Sequence, residues 1–109
     1  MATALKVLGQ SAPAATTLTT LYTVPGVTKT VGSSIVVCNR SSTGTYFRVA
    51  VRPAGAAIAD QHYLYYDVWI PGNDTFVATI GMTLATTDVV SCYATLATLS
   101  FSLFGEETT

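Results

Sequence analysis

The stretch QHYLYYDVWIPGNDTF, Gln61 to Phe76, carries the single histidine, the single tryptophan, three of the six tyrosines and two aspartates of a 109-residue chain. Histidine beside a carboxylate and a hydroxyl is the raw material of nucleophilic catalysis, in which an imidazole takes a serine proton while an aspartate orients the ring. His62 with Asp60 or Asp67 and one of many serines meets that description by residue type only. No G-x-S-x-G elbow frames a serine, and nucleophile, base and orienter cannot be assigned as one set. The chain therefore reads as a non-enzyme.

Metal chemistry fares no better. One histidine and two distant cysteines, Cys38 and Cys92, do not make a zinc pattern of the paired C-x₂-C kind. The segment PGNDTF offers Asn73 and Asp74 but not the further oxygen ligands of a calcium loop. It reads as a turn held by Asn and Asp side chains. Neither a metal nor another cofactor is expected. Both cysteines sit in apolar, β-branched runs, SSIVVCNR and DVVSCYAT, which suits reduced, buried thiols. A disulfide stays open if the two strands are neighbours at bridging distance. Asn39-Arg40-Ser41 and Asn73-Asp74-Thr75 match the N-glycosylation pattern. The opening MATALKVLGQSAPAA lacks the build of a secretory signal, so both matches read as accidental.

The aromatic residues point elsewhere. On a regular strand His62, Leu64, Tyr66, Val68 and Ile70 share one face, expected in the core, and Tyr63, Tyr65, Asp67 and Trp69 share the other. Tyrosine and tryptophan join a large apolar area to a polar handle and are enriched at protein interfaces. Tyr63, Tyr65 and Trp69 are thus expected to carry a partner contact, and His62 to have no chemical role. Arg48 and Arg52 lie on one face of another strand and are expected at solvent or in a bridge to another subunit. The net charge is −1 and no basic run exists, which argues against nucleic acid and anionic membranes as partners. No apolar run approaches a membrane span.

The elements that must position these residues are strands. Turn signals recur at Gly9–Pro13, Pro25-Gly26, Gly32-Ser33, Asn39–Gly44, Pro53–Gly55, Pro71–Asp74, Gly81–Asp88 and Thr95–Thr98. Phe47, Val49 and Val51 alternate with Arg48, Ala50 and Arg52; Leu99, Phe101 and Leu103 alternate with serines; Phe76, Ala78 and Ile80 alternate with Thr75, Val77 and Thr79. The run through Ser33 to Cys38 is continuously apolar at its end, which suits a strand covered on both sides. Strands are predicted over 4–9, 17–24, 29–39, 45–53, 60–70, 74–80, 88–94 and 99–105. GMTLATTD reads as a connection, and AAIAD as one turn at most. About eight short antiparallel strands define an all-β, two-sheet sandwich, jelly-roll-like, forming one domain over 1–109. Half the residues are hydrophobic and only 10% are charged, against about a quarter charged in ordinary soluble domains. So little charge favours association, and a homo-oligomer is expected, a trimer first.

The pieces LGQSAPAATTLTTLYTVP (Leu8–Pro25), SSIVVCNR, FRVAVRPAGA (Phe47–Ala56), HYLYYDVWIPGNDTF and LSFSLFGEE (Leu99–Glu107) span nearly the whole chain. Together they resemble small structural proteins of tailed bacteriophages. The resemblance implies a multi-copy virion component assembled in the host cytoplasm. A capsid decoration or cement protein bound to the major capsid protein or other virion proteins is the first expectation. A neck, tail or baseplate component and a carbohydrate- or receptor-binding module are the alternatives.

Overall fold

A computed structural model describes residues 2–109. Among them are nine strands: β1 (Thr3–Ser11), β2 (Thr19–Thr23), β3 (Lys29–Asn39), β4 (Thr45–Arg52), β5 (Tyr63–Ile70), β6 (Thr75–Ala78), β7 (Met82–Leu84), β8 (Val89–Ala94) and β9 (Leu99–Thr108). Two single 3₁₀ turns, Pro53–Gly55 and Asp60–His62, lie between β4 and β5. The alternation read from Phe47, Val49, Phe101 and Leu103 is realised: all four are fully buried, with Leu99, while Val51 packs half-buried against them.

The strands form two antiparallel sheets, ordered β1-β9-β3-β6 with β7 also on β3, and β2-β8-β4-β5. The pairings nest: β1 with β9, β2 with β8, β3 with β6 and β7, β4 with β5. A folded ribbon of nested pairs distributed over two sheets is the jelly roll. Eight strand positions are occupied, because β6 and β7 are two halves of one strand. Both lie antiparallel on the same edge of β3, with Ala78 opposite Ile35 and Met82 opposite Gly32, so the register slips by one residue between them. Gly81, at φ +60°, sits in that break. Met82–Leu84 is therefore a strand and not the connection read from its threonines; Met82 and Leu84 are buried in the core.

Phe47 sits at the centre of that core, its ring centroid 5.1 Å from Phe76 and 6.1 Å from Phe101 across the sheets. Cys92 is fully buried from one sheet, Cys38 half-buried on the other, and both are free thiols. Burial pushes the Cys92 thiol up to about 11. At one end of the sandwich the sheets are tied by polar groups. The Tyr22 hydroxyl on β2 donates to Glu107 Oε2 on β9 (2.5 Å) and meets Thr30 Oγ1 on β3 (2.8 Å). Lys6 on β1 pairs with Glu107 Oε1 at 3.1 Å. Burial and the neighbouring carboxylate push the Tyr22 phenol up to about 12. The Tyr22 hydroxyl and then Lys6 hold the Glu107 carboxyl below its ordinary range.

Every edge strand is bulged. An extra residue is inserted in β1 between Val7 and Gly9, in β2 between Thr20 and Tyr22, twice in β5, and in the β6–β7 break. Bulges twist an edge away from regular pairing and blunt it against another strand. The four edges of this charge-poor protein are therefore poor templates for strand addition.

Candidate partner-binding face

The outer face of the β2-β8-β4-β5 sheet holds the aromatic cluster. Arg48, outward on β4, stands between β5 and β8. Asp67 adopts φ +51° at the second bulge along β5, a left-handed conformation that Asp tolerates better than most residues. The bulge brings its carboxylate to Arg48, with Nε–Oδ1 at 2.7 Å and Nη2–Oδ2 at 3.3 Å. That hydrogen-bonded pairing raises the Arg48 pKa still further. The guanidinium carbon lies 4.1 Å from the Tyr66 ring centroid, 4.4 Å from Tyr93 and 6.0 Å from Tyr63, within cation–π range. Tyr63 and Tyr66 meet edge to face at 4.9 Å.

Beside this cluster, Tyr46 and Trp69 are direct cross-strand partners with ring centroids 5.1 Å apart. The indole lies over Gly44; a Cβ built there would fall 2.2 Å from Trp69 Cζ2. The turn after β5 locks against the loop before β4, since the Asn73 N–H donates to Ser41 O at 2.8 Å. Asn39, 1% exposed, donates its amide to Thr43 O and Pro71 O beneath. The asparagine of the first glycosylation match is thus spent on fixing these loops. The rings remain open to solvent: Tyr46 is 45% exposed, Tyr66 57% and Trp69 54%.

The single-faced strand expected over 60–70 needs correction. Two extra residues in β5, one near Leu64 and one at Tyr66-Asp67, shift the phase of its side chains relative to β4. Tyr65 turns inward, 5.3 Å from Phe76 and 6.3 Å from Phe47, and belongs to the core packing instead of the partner surface. Leu64 and Tyr66, expected inside, are exposed. Trp69 and the half-buried Tyr63 stand on the outer face as expected. Val68 and Ile70 pack inward, also as expected.

Arg52 shares the face with Arg48 but is engaged within the chain. Its Nε donates to Ser91 Oγ (3.1 Å) and its Nη1 to Gly55 O and Ala56 O, so it folds the 53–56 turn onto the sheet. His62 is buried and local: its N–H donates to Ala59 O, and its Nδ1 accepts from the Ala59 N–H, both at 3.1 Å. The imidazole closes the turn that launches β5. Tyr46, Tyr66 and Tyr93 complete the face and were missed as site residues. The alternation places Tyr46 and Tyr93 opposite the inward Phe47 and Cys92, a signal present in the sequence; Tyr66 needed the bulge. Preset rings lose little freedom on contact, so such a face suits binding more than bond-making. Among the described residues no three His, Cys, Asp or Glu side chains group as metal ligands. Compared with known proteins, the chain matches no family model and no curated protein.

Proposed function

We propose that this jelly roll is a non-enzymatic structural protein of a bacteriophage particle, a decoration or cement protein of the head shell. The outer face of the β2-β8-β4-β5 sheet grips the major capsid protein or another virion protein. The carrying observation is the exposed aromatic patch in which Tyr66 packs on a charge-neutralised Arg48 and the Tyr46–Trp69 pair stands beside it. The jelly-roll fold, which recurs in viral capsid domains, and the scarcity of charge support the same reading. Adhesion is the mechanism: a specific contact buries about 1,200–2,000 Å² in total, and particle symmetry repeats it many times.

Jelly rolls also occur as lectin domains, and the open Tyr66 and Trp69 rings, beside a depression lined by Asp60, Tyr63 and Tyr66, favour a carbohydrate-binding reading second. The test is occupancy of Trp69→Ala and Tyr66→Ala on particles lacking the wild-type protein, with melting curves for each. Each truncation is expected to weaken particle binding by about 2 kcal/mol while the fold survives, and His62→Ala to leave binding unchanged. Full occupancy by both aromatic variants would remove the adhesive face. Glycan binding by the isolated protein would favour the lectin reading. A few copies per particle would move the protein to the neck, tail or baseplate.

A further inference from the structure

The other sheet also has an outer face, and nothing in the chain covers it. Leu5 on β1, Glu106 on β9 and Val31 on β3 lie abreast there, with Val7 opposite Phe104 in the next row. Leu5 is 81% exposed, and Val7 and Val31 nearly half; with Phe104 and Glu106 they line a groove of about 540 Å³.

Glu106 is the anomaly in this groove. Side chains directly opposite on neighbouring strands start about 5 Å apart, so Leu5 and Val31 flank its half-buried carboxylate on both sides. Among the described residues the ion pairs are Lys6–Glu107 and Arg48–Asp67, and no donor meets Glu106. Lys29 lies one row beyond, exposed on the flank. A carboxylate walled by apolar side chains has shed part of its water without gaining a partner. A cation with an apolar body therefore gains more there than at an open surface.

The chain itself shows how such a cation is held. Arg48 lies against the rings of Tyr66 and Tyr93, 4.1 and 4.4 Å from their centroids, and forks onto the Asp67 carboxylate, the nearer contact 2.7 Å. The groove presents the same two elements on one face of β9: the Phe104 ring precedes the Glu106 carboxylate by two residues, about 7 Å along the strand. A guanidinium is planar, so it can stack on a ring while it forks onto a carboxylate, and it is more weakly hydrated than an ammonium. Leu5 and Val7 then meet the methylene stem and the apolar neighbours of the residue that carries it. The like charge of Lys29 on the flank disfavours a second cation beside the first.

We propose that this groove is a docking site for a single arginine flanked by apolar residues on a partner protein, its guanidinium paired with Glu106 and stacked on Phe104. The site is separate from the aromatic face of the opposite sheet and does not rest on the capsid reading.

Titration with the blocked tripeptide acetyl-Val-Arg-Val-amide, followed by NMR at the Leu5 and Val7 methyls and the Phe104 ring, tests it. Saturable shifts are expected at all three. The citrulline analogue keeps the shape and loses the charge, and should bind about tenfold more weakly. Glu106→Gln should weaken the arginine peptide about tenfold and erase its advantage over citrulline, with an unchanged melting curve because the side chain lies outside the core. Phe104→Leu keeps an apolar wall but removes the ring, and should weaken the arginine peptide about two- to fivefold. Trp69→Ala should bind it like wild type. No saturable shift, equal affinity for the two peptides, arginine binding that survives Glu106→Gln, or shifts confined to the opposite sheet would overturn the proposal. So would self-association that Glu106→Gln abolishes, since the occupant would then be a second copy of the chain.

Discussion

Replacing Tyr22 by phenylalanine removes one oxygen and leaves the ring to fill its place. That oxygen donates to the Glu107 carboxylate at 2.5 Å and meets the Thr30 hydroxyl at 2.8 Å; Tyr22 is 7% exposed and Thr30 2%. A hydrogen bond to a charged group contributes about 1.5–3 kcal/mol, and a buried hydroxyl left without its partner costs about 1 kcal/mol more. The expected loss is about 2–4 kcal/mol, against a total of roughly 5–15 kcal/mol for a domain of this kind. The melting temperature should fall by about 8–32 °C at neutral pH, using about 4–8 °C per kcal/mol for small domains.

The pH dependence is the sharper signature of the same substitution. The Glu107 carboxyl is held low in the fold, so its contribution is present above the ordinary carboxyl range and is lost as pH falls through the folded value. Tyr22 is raised from 10.0 to about 12, so its contribution is present below pH 10 and is lost as pH rises through about 12. Tyr22→Phe should flatten both limbs. Part of the alkaline limb persists through Cys92, raised from 9.0 to about 11. Urea unfolding followed by circular dichroism from pH 2 to 12 measures all of this. A loss under 1 kcal/mol, or a pH profile of wild-type shape, would refute the claim that this network ties the sheets.

Phe101→Ala, which empties a fully buried site between the sheets, should cost about 3–5 kcal/mol in chemical denaturation; Val77→Ala, on the open face of β6, should stay within about 0.5 kcal/mol. Gly44→Ala should push the indole of Trp69 from its seat, because the new methyl occupies its place. The change should appear as altered tryptophan emission with little shift in melting, and an unchanged spectrum would show that Gly44 does not set the ring.

Much of the fold was legible because inward residues repeat at every second position. Phe47, Val49, Leu99, Phe101 and Leu103 follow that rule without exception, and eight strand positions emerge from the turn punctuation. The candidate face was legible in its residue types and misread in its phase. Bulges follow from backbone geometry at particular contacts, and nothing in the letters YLYYDVW marks where the extra residues fall. Asp67, read as one more strand residue, turns out to be the residue whose positive φ changes the phase and pins Arg48. Glu107 continues the inward series Leu99, Phe101, Leu103 and Gly105, but nothing adjacent to it in the sequence marks a buried partner. Its role became visible only with Lys6, Tyr22 and Thr30 around it. The exposed apolar row of β1 was unreadable because exposure depends on which strands lie outside.

The nesting of the pairs orders their formation in time. The β4–β5 hairpin closes the shortest loop, and each completed ring shortens the effective loop that the next must close. The β1–β9 ring brings together the most distant segments of the chain, down to the reciprocal backbone bonds between Ala2 and Thr109, and such non-local contacts are the slowest to form. Leu5, Val7 and Phe104 come together only in that ring. A chain still folding therefore lacks the finished outer face of the β1-β9-β3 sheet until this last ring closes.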